Sequence, residues 1–244
     1  MKMLAINGSP RKKNSNTDRL LLPFLEGARE AGADVELVYL QGMNIQPCLG
    51  CFHCWLKTPG QCLQKDDMPG LLDRLRTADV TVLGTPLYVC GMTAQLKTMM
   101  DRIIPLALPF IEVCDGQCTH PFREDTKNSS LVLLSNCGFH ELHHFDELVA
   151  HVQAFNRLSR RKFLGALLRP HGPMMEVFDA LDPAAIQPVY DACRQAGRHA
   201  ARDEVIPEAV LAEISRELLS RDDFLEMANA YFQGEIDKNA ASPS

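Results

Sequence analysis

Four cysteines form the most distinctive group of residues that could do chemistry in this 244-residue chain. Their spacing is C-x2-C-x2-C-x7-C, and they are Cys48, Cys51, Cys54 and Cys62. Cysteines at intervals of three let a tightly wound loop direct three thiolates at one centre, and a fourth thiolate can complete the set. In a reducing compartment such a cluster indicates a metal site, an iron–sulfur centre or redox chemistry rather than a disulfide framework.

A second polar group occupies residues 8–17, between a short apolar strand and an amphipathic helix. Backbone N–H groups at the start of a helix favour an anion, which predicts a phosphate-binding loop. Side chains that could assist are Ser9, Arg11, Lys12, Lys13, Ser15, Asn16 and Thr17. The loop is neither a P-loop nor a dinucleotide fingerprint, because G-x-x-x-x-G-K-[ST] and G-x-G are both absent from the sequence. The alternative is a polar turn with a helix N-cap at Asn16 or Thr17.

These groups must be positioned by an alternation of strands and helices. Short apolar runs predict strands over residues 4–7, 35–40, 80–84, 130–136 and 163–168. Helical periodicity predicts helices over residues 18–31, 68–78, 93–104, 143–161 and 183–201. The alternation predicts an α/β fold with a doubly wound five-stranded parallel sheet.

Two segments fall outside this alternation. Residues 105–128 form a long connection, interpreted as a loop over the active-site edge or a subunit contact. Residues 205–244 form a helical C-terminal extension, of which the last ten are expected to be disordered. Its apolar stripe is expected to pack on its own domain, with a dimer-clasping arm as the alternative, and comprises Phe224, Met227, Ala228, Tyr231 and Phe232. The remaining residues, 1–204, are predicted to form the ligand-binding domain.

In an open parallel sheet, ligands bind beyond the carboxyl ends of the strands, at the switch point of strand order. The loops after the third and fourth strands should therefore join the loop at residues 8–17. The loop at residues 84–97 places Tyr88 where it could meet a planar ring, while Pro86 stiffens the backbone and Gly91 permits its close approach. Residues 136–139 add an amide and backbone donors at the same edge.

These motifs together resemble the NADPH-dependent FMN reductase group of flavodoxin-like proteins, and in particular its iron–sulfur flavoproteins and their cluster-free relatives. The matching segments are GSPR at 8–11, NT at 16–17, TPLY at 85–88, AQLK at 94–97 and DR at 101–102. The resemblance covers residues 1 to about 200. It implies a flavodoxin-like fold, bound FMN, NAD(P)H as co-substrate and a homodimer or homotetramer. The function it implies is electron transfer to a flavin, a quinone or a similar acceptor.

The resemblance also implies which residues hold the cofactor. The phosphate would be bound by Ser9, Arg11, Ser15, Asn16 and Thr17. The flavin ring would lie against Pro86, Leu87, Tyr88, Val89, Gly91 and Met92, and its pyrimidine end would meet Asn136, Cys137 and Gly138. No protein side chain is assigned a catalytic role, because the flavin does the chemistry.

The cysteine segment, residues 48–62, resembles the box that binds a [4Fe–4S] cluster in the iron–sulfur flavoproteins. It departs from the simplest form because residues 55–60 lengthen the last interval. Three interpretations stay open: a cluster on Cys48, Cys51, Cys54 and Cys62, a structural loop whose thiols pack near the FMN edge, or a zinc site or redox dithiol. With a cluster, the protein would be an electron carrier that serves a redox partner protein.

Composition excludes other classes of function. The net charge of −6 offers no electrostatic basis for nucleic-acid binding. No stretch approaches the roughly 18 apolar residues of a membrane helix, and the N-terminal apolar run is too short for a signal peptide. We therefore expect a cytoplasmic protein with no membrane or nucleic-acid partner.

Overall fold

The fold is built on a parallel sheet whose strands are nearly continuous apolar runs, as sheets covered on both faces require. A computed structural model describes residues 1–241. The sheet comprises β1 (Lys2–Asn7), β2 (Asp34–Tyr39), β3 (Val80–Pro86), β6 (Ser130–Asn136) and β7 (Phe163–Arg169). Its order is β2-β1-β3-β6-β7, and all the pairs are parallel. This order, with its switch point between β1 and β3, is the flavodoxin-like arrangement, so the predicted fold class is confirmed.

Helices cover both faces of the sheet. One face carries α1 (Asn16–Glu30), α6 (Met174–Leu181), α7 (Pro183–Ala200) and α8 (Glu208–Ile214), and the other carries α3 (Met68–Thr77), α4 (Ala94–Asp101) and α5 (Asp146–Leu158). The remaining helices are the short α2 (His53–Leu56) and the C-terminal α9 (Arg221–Ala241). Each face buries its own apolar core against the strands. The domain therefore has three layers, and the connecting loops lie at the two ends of the strands.

Helices α1 and α7 pack unusually closely because glycine lies at both contact points. A Cβ on Gly27 would overlap the backbone of Arg194, and a Cβ on Gly197 would overlap the carbonyl of Phe24. This close contact fixes α1, whose N-terminus carries the loop at residues 8–17.

The structure differs from the predicted elements in several places. The short helix α2 was not predicted, and the helix expected over residues 143–161 is a 3-10 turn at Leu142–Phe145 followed by α5, which ends at Leu158. The predicted loop at 105–128 contains a hairpin of β4 (Glu112–Cys114) and β5 (Gln117–Thr119). Helix α6 was not predicted. The helix expected over residues 93–104 ends at Asp101 and is followed by a separate 3-10 turn at Ile104–Leu106.

The C-terminal extension is helical, as predicted, but its apolar stripe is mostly uncovered. Phe224 is buried and Ala228 is half-buried, whereas Met227, Tyr231 and Phe232 are exposed, so the expected packing of the stripe on its own domain is wrong for these last three residues. Helix α9 continues to Ala241, through most of the segment expected to be disordered, and residues 242–244 lie outside the described residues. Within residues 1–241, no helix is both long and apolar enough to cross a membrane.

Candidate functional site

A cavity of about 140 Å³ lies at the carboxyl edge of the sheet, where the loops after β1, β3 and β6 meet. Of the predicted cofactor-binding residues, it is lined by Ser9, Arg11, Ser15, Asn16, Thr17, Pro86, Leu87, Tyr88, Asn136, Cys137 and Gly138. Val89, Gly91 and Met92 do not line it. Sequence reasoning therefore identified three loops that the fold brings together.

The hydroxyl groups of the first loop are arranged as hydrogen-bond donors. Ser9 Oγ accepts from the backbone N–H of Arg11 at 3.3 Å, and Ser15 Oγ accepts from that of Asp18 at 3.1 Å. Thr17 Oγ1 accepts from the side-chain amide of Asn136 at 2.8 Å. Because each oxygen already accepts an N–H from the protein, its own O–H hydrogen is left to point at an acceptor. Three such hydroxyls at a helix start suit an anion.

Ser15 is the N-cap of α1, so the predicted N-cap at Asn16 or Thr17 is wrong. The sequence carries a signal for it, since Ser15 and Asp18 form the S-x-x-D pattern that precedes an apolar helix. The capping oxygen satisfies an N–H of the first turn. The backbone N–H groups of Asn16 and Thr17 begin the helix directly beside the cavity.

Sequence reasoning missed a buried polar network behind this loop. Asp18 accepts from Asn7 Nδ2 at 3.3 Å, from the backbone N–H of Asn14 at 3.3 Å and from the Tyr39 hydroxyl at 2.9 Å. Burial and the hydrogen bond to Asp18 raise the pKa of Tyr39 to about 12, so the phenol keeps its donating proton. Asn7 Oδ1 accepts from the backbone N–H of Ser9 at 2.8 Å. The network fixes the loop from below without lining the cavity.

The second loop is locked to the first by threonines. Thr93 Oγ1 donates to the carbonyl of Gly8 at 2.7 Å, and its backbone N–H donates to Thr85 Oγ1 at 3.1 Å. Tyr88 and Gly91 close a tight turn with paired backbone hydrogen bonds of 2.9 and 3.0 Å. The Tyr88 side chain is 48% exposed beside the cavity, which leaves one face of its ring available.

The third loop is held by the segment after β7, which was not assigned a role from sequence. Its Pro173 lines the cavity, while the backbone N–H of Gly172 donates to the carbonyl of Cys137 at 2.7 Å. Arg169 is fully buried beneath, and donates to the carbonyls of Ile214 and Arg216 at 2.8 Å each. The rule that loops after parallel strands share one edge could have identified Pro173.

A neutral histidine completes this support. Nη2 of Arg169 lies 2.6 Å from His171 Nε2, which must therefore accept the hydrogen bond. Burial, and then the charge of Arg169, lower the pKa of His171 to about 3. The imidazole is thus uncharged at neutral pH, which matches its role as acceptor.

The four clustered cysteines line a second, smaller cavity of about 30 Å³. Burial, and then the nearby thiols of Cys62, Cys51 and Cys48, raise the pKa of Cys54. Positive φ angles of 62° at Gly50 and 51° at Phe52 wind the loop tightly. All nine cysteines of the chain are free thiols. The sequence prediction that these four converge is therefore consistent with the fold of the loop.

Two side chains outside the cysteines anchor this loop. Trp55, from the segment that lengthens the last interval, donates Nε1 to the carbonyls of Ile104 and Ala107 at 3.1 and 3.0 Å. Arg102 forms a buried ion pair with Asp66 at 2.7 Å, and Nη2 of Arg102 lies 3.4 Å from Cys62 Sγ. A fixed positive charge thus lies at the cysteine cavity.

Nη1 of Arg102 also donates to the carbonyl of Gln46 at 2.6 Å, so this one residue holds both ends of the loop. Burial raises the pKa of Asp66, but the hydrogen bonds from Arg102 and the backbone outweigh it, and the net pKa lies below its usual range.

The two cavities are separate, and residues 1–241 supply no lining residue common to both. The interpretation that the thiols pack at the FMN edge stays a prediction. In the part of the chain that the structure describes, no group of three or more His, Cys, Asp or Glu side chains is arranged to hold a single metal ion. This arrangement gives no support to a mononuclear zinc site.

Residues 1–111 match the NADPH-dependent FMN reductase family. The match spans β1, β3 and the cysteine loop, and confirms the resemblance inferred from the motifs. An iron–sulfur flavoprotein of Methanocaldococcus jannaschii is 39% identical over 110 residues, which are 45% of this chain and 55% of that protein. The chain spans about half the length of the curated relatives it matches.

Solved structures extend the likeness in fold to most of the chain. An FMN-dependent NADH-azoreductase from Bacillus anthracis, in complex with FMN, superposes with a TM-score of 0.57 at 17% identity, over 83% of this chain and 98% of that one. A flavone reductase gives a TM-score of 0.58 at 21% identity, over 83% of this chain and 62% of that one. At these identities the likeness establishes the fold alone.

Proposed function

We propose that the chain binds FMN at the cavity formed by the loops after β1, β3 and β6, and acts as an NAD(P)H-dependent oxidoreductase. One observation carries the proposal: three hydroxyl donors, Arg11 and the start of α1 converge at the switch point of a flavodoxin-like sheet. The family match over residues 1–111 supports it. When bound, FMN supplies the hydride-accepting and electron-donating chemistry, and the protein supplies position and electrostatics.

The donor set fits the phosphate end of FMN. Ser9, Ser15 and Thr17 donate O–H groups, Asn16 contributes its amides, and Arg11 supplies charge. The cavity of about 140 Å³ is smaller than the roughly 300–1,000 Å³ typical of small-molecule sites. It therefore suits the phosphate and the adjoining chain, while the exposed ring of Tyr88 offers a surface for the flavin.

Substituting Arg11 tests the cofactor site. Loss of a charge-assisted hydrogen bond, about 1.5–3 kcal/mol, should weaken FMN binding by roughly 10- to 100-fold in R11Q. Lys13 carries the same charge in the same loop but does not line the cavity, so K13Q is the matched control. Flavin fluorescence quenching measures both affinities. Equal FMN affinity in R11Q and the unmodified protein would contradict the placement of the phosphate.

Anaerobic addition of NADH or NADPH tests the activity. Bleaching of the visible flavin absorption by either nucleotide, and its return on addition of a quinone, is the expected result. If neither nucleotide bleaches bound FMN, the chain is not an NAD(P)H-dependent reductase. A cytoplasmic location, a homodimer or homotetramer, and the identity of the acceptor stay predictions.

A second candidate function is an electron carrier with a [4Fe–4S] cluster. Its support is that Cys48, Cys51, Cys54 and Cys62 line one cavity beside the charge of Arg102, together with the similarity to iron–sulfur flavoproteins. A cubane places its four thiolates further apart than a single ion does. Anaerobic purification should then give about four irons per chain and a matching amount of sulfide, lost in C54S. Iron-free protein after such purification would rule this function out.

A further inference from the structure

Three arginines are buried in the part of the chain that the structure describes, and they differ in how their charge is balanced. Arg102 has the carboxylate of Asp66. Arg169 has two backbone carbonyls at the end of α8 and the acceptor nitrogen of His171. Arg161, at 7% exposure, has neither a carboxylate nor a carbonyl. Within residues 1–241, the only hydrogen bond from its guanidinium joins Nη1 to Ser129 Oγ at 2.6 Å.

Aromatic rings compensate this charge only in part. The guanidinium carbon of Arg161 lies 5.1 Å from the ring centre of Phe122 and 5.7 Å from that of Phe155. Such cation–π contacts are weaker than the cost of leaving a buried charge unpaired, so they do not offset it in full. Burial alone lowers the pKa of Arg161 to about 10. The guanidinium is therefore a buried cation that no carboxylate of residues 1–241 neutralises.

Arg161 is also one of the residues that line a cavity of about 450 Å³. Its charged lining residues are Arg157, Arg160 and Arg161, opposed by the single carboxylate of Asp115. Arg160 is paired with Glu112, while Arg157 forms no ion pair with any residue in the range 1–241. The chain as a whole is acidic. These three arginines therefore form a local concentration of positive charge between the end of α5 and the hairpin of β4 and β5.

We propose that this cavity binds the phosphate group of a small anionic ligand, with Arg161 as the buried anchor and Arg157 at the rim. Planar guanidinium groups match phosphate oxygens with paired hydrogen bonds, which makes arginine clusters suited to this group. Ser129 and Arg161 precede β6 and β7, so the cavity lies at the amino edge of the sheet, opposite the FMN cavity. The site is independent of the proposed FMN function.

Thermal unfolding of the chain in saturating FMN tests this proposal, with inorganic phosphate titrated against sodium chloride at equal ionic strength. A ligand that binds only the folded state raises Tm saturably. We expect this rise in the unmodified protein, at least tenfold weaker phosphate binding in R161M, and severalfold weaker binding in the exposed rim variant R157Q. Two controls should keep the full response: R198M, which removes a distant surface arginine, and R11Q, which alters the loop at residues 8–17.

The substitution R161M also separates an anchor from a structural arginine. Without phosphate, methionine keeps the contact with Phe122 and Phe155 and removes an unpaired charge, while Ser129 Oγ retains its hydrogen bond to Thr81 at 3.2 Å. Its Tm should then equal or exceed that of the unmodified protein. The proposal fails if phosphate gives no saturable rise, if R161M or R157Q binds phosphate as tightly as the unmodified protein, or if R11Q abolishes the rise. Should R161M not fold, the response of R157Q decides.

Discussion

The buried ion pair between Arg102 and Asp66 should control the stability of the cysteine loop. Both side chains are 1% exposed, and two hydrogen bonds of 2.7 and 3.1 Å join them. In R102M, the Asp66 carboxylate stays buried with only the backbone N–H groups of Gln46 and Met68. Leaving one member of a buried pair uncompensated costs about 3–5 kcal/mol. That is a large share of the roughly 5–15 kcal/mol of a typical domain.

Urea unfolding measures this loss, and the double variant R102M/D66N isolates its cause. If the cost comes from the unpaired charge, the double variant should recover at least half of the loss seen in R102M. Arg198 and Glu30 supply a matched control, because they form an ion pair of 2.6 Å with both side chains over 40% exposed. R198M should change the free energy of unfolding by no more than about 1 kcal/mol.

Alkylation of Cys54 tests the same ion pair locally, whereas urea unfolding tests it over the whole chain. Because Arg102 joins Gln46 to Cys62, its loss should open the cysteine loop and speed alkylation of Cys54, which is buried in the unmodified protein. A loss in R102M of under 1 kcal/mol, with unchanged alkylation of Cys54, would refute the assignment of Arg102 as the anchor of this loop.

Two further predictions concern the support of the proposed FMN cavity. The folded chain leaves His171, with its pKa near 3 instead of 6.5, unprotonated where the unfolded chain binds a proton. The free energy of unfolding should therefore fall as pH falls from about 6.5 towards 3, by up to about 1.4 kcal/mol per pH unit, and H171Q should show a shallower slope in urea titrations. G197A should destabilise the chain by about 3 kcal/mol or more, because its Cβ meets the backbone of Phe24. G234A, with no heavy atom within 4 Å of the added Cβ, should change stability by at most about 1 kcal/mol, and equal effects of the two would contradict the close packing of α1 and α7.

The sheet and its loops were predictable because their signals are local. The strand at Ser130–Asn136 was predicted with its observed bounds, since a fully buried strand reads as a continuous apolar run. Parallel strands then place their following loops at one edge, which brings Thr17 and Asn136 into hydrogen-bond contact although they are 119 residues apart in the sequence. The hairpin of β4 and β5 was missed because two three-residue strands leave too short a pattern to read.

The supports of each site were not predictable because they depend on partners far apart in the chain. Asp66 lies 36 residues from Arg102, and nothing in the spacing of either residue indicates that they meet in the interior. Arg161 looks like an ordinary charged residue at the end of a helix, and only the packing of Phe122 and Phe155 shows that it is buried. Burial, which decides the energy of a charge, is a property of the tertiary structure.

One helix accounts for the presence of both cavities in a single domain. At the start of α4, Thr93 donates to the carbonyl of Gly8 and so positions the loop that begins the proposed FMN cavity. At its end, Arg102 holds both sides of the cysteine loop. Eight residues of helix span about 12 Å, a distance that side-chain motion does not change. The AQLK segment thus lies on α4 and the DR segment at its end, and this helix separates two cavities that share no lining residue in the described part of the chain.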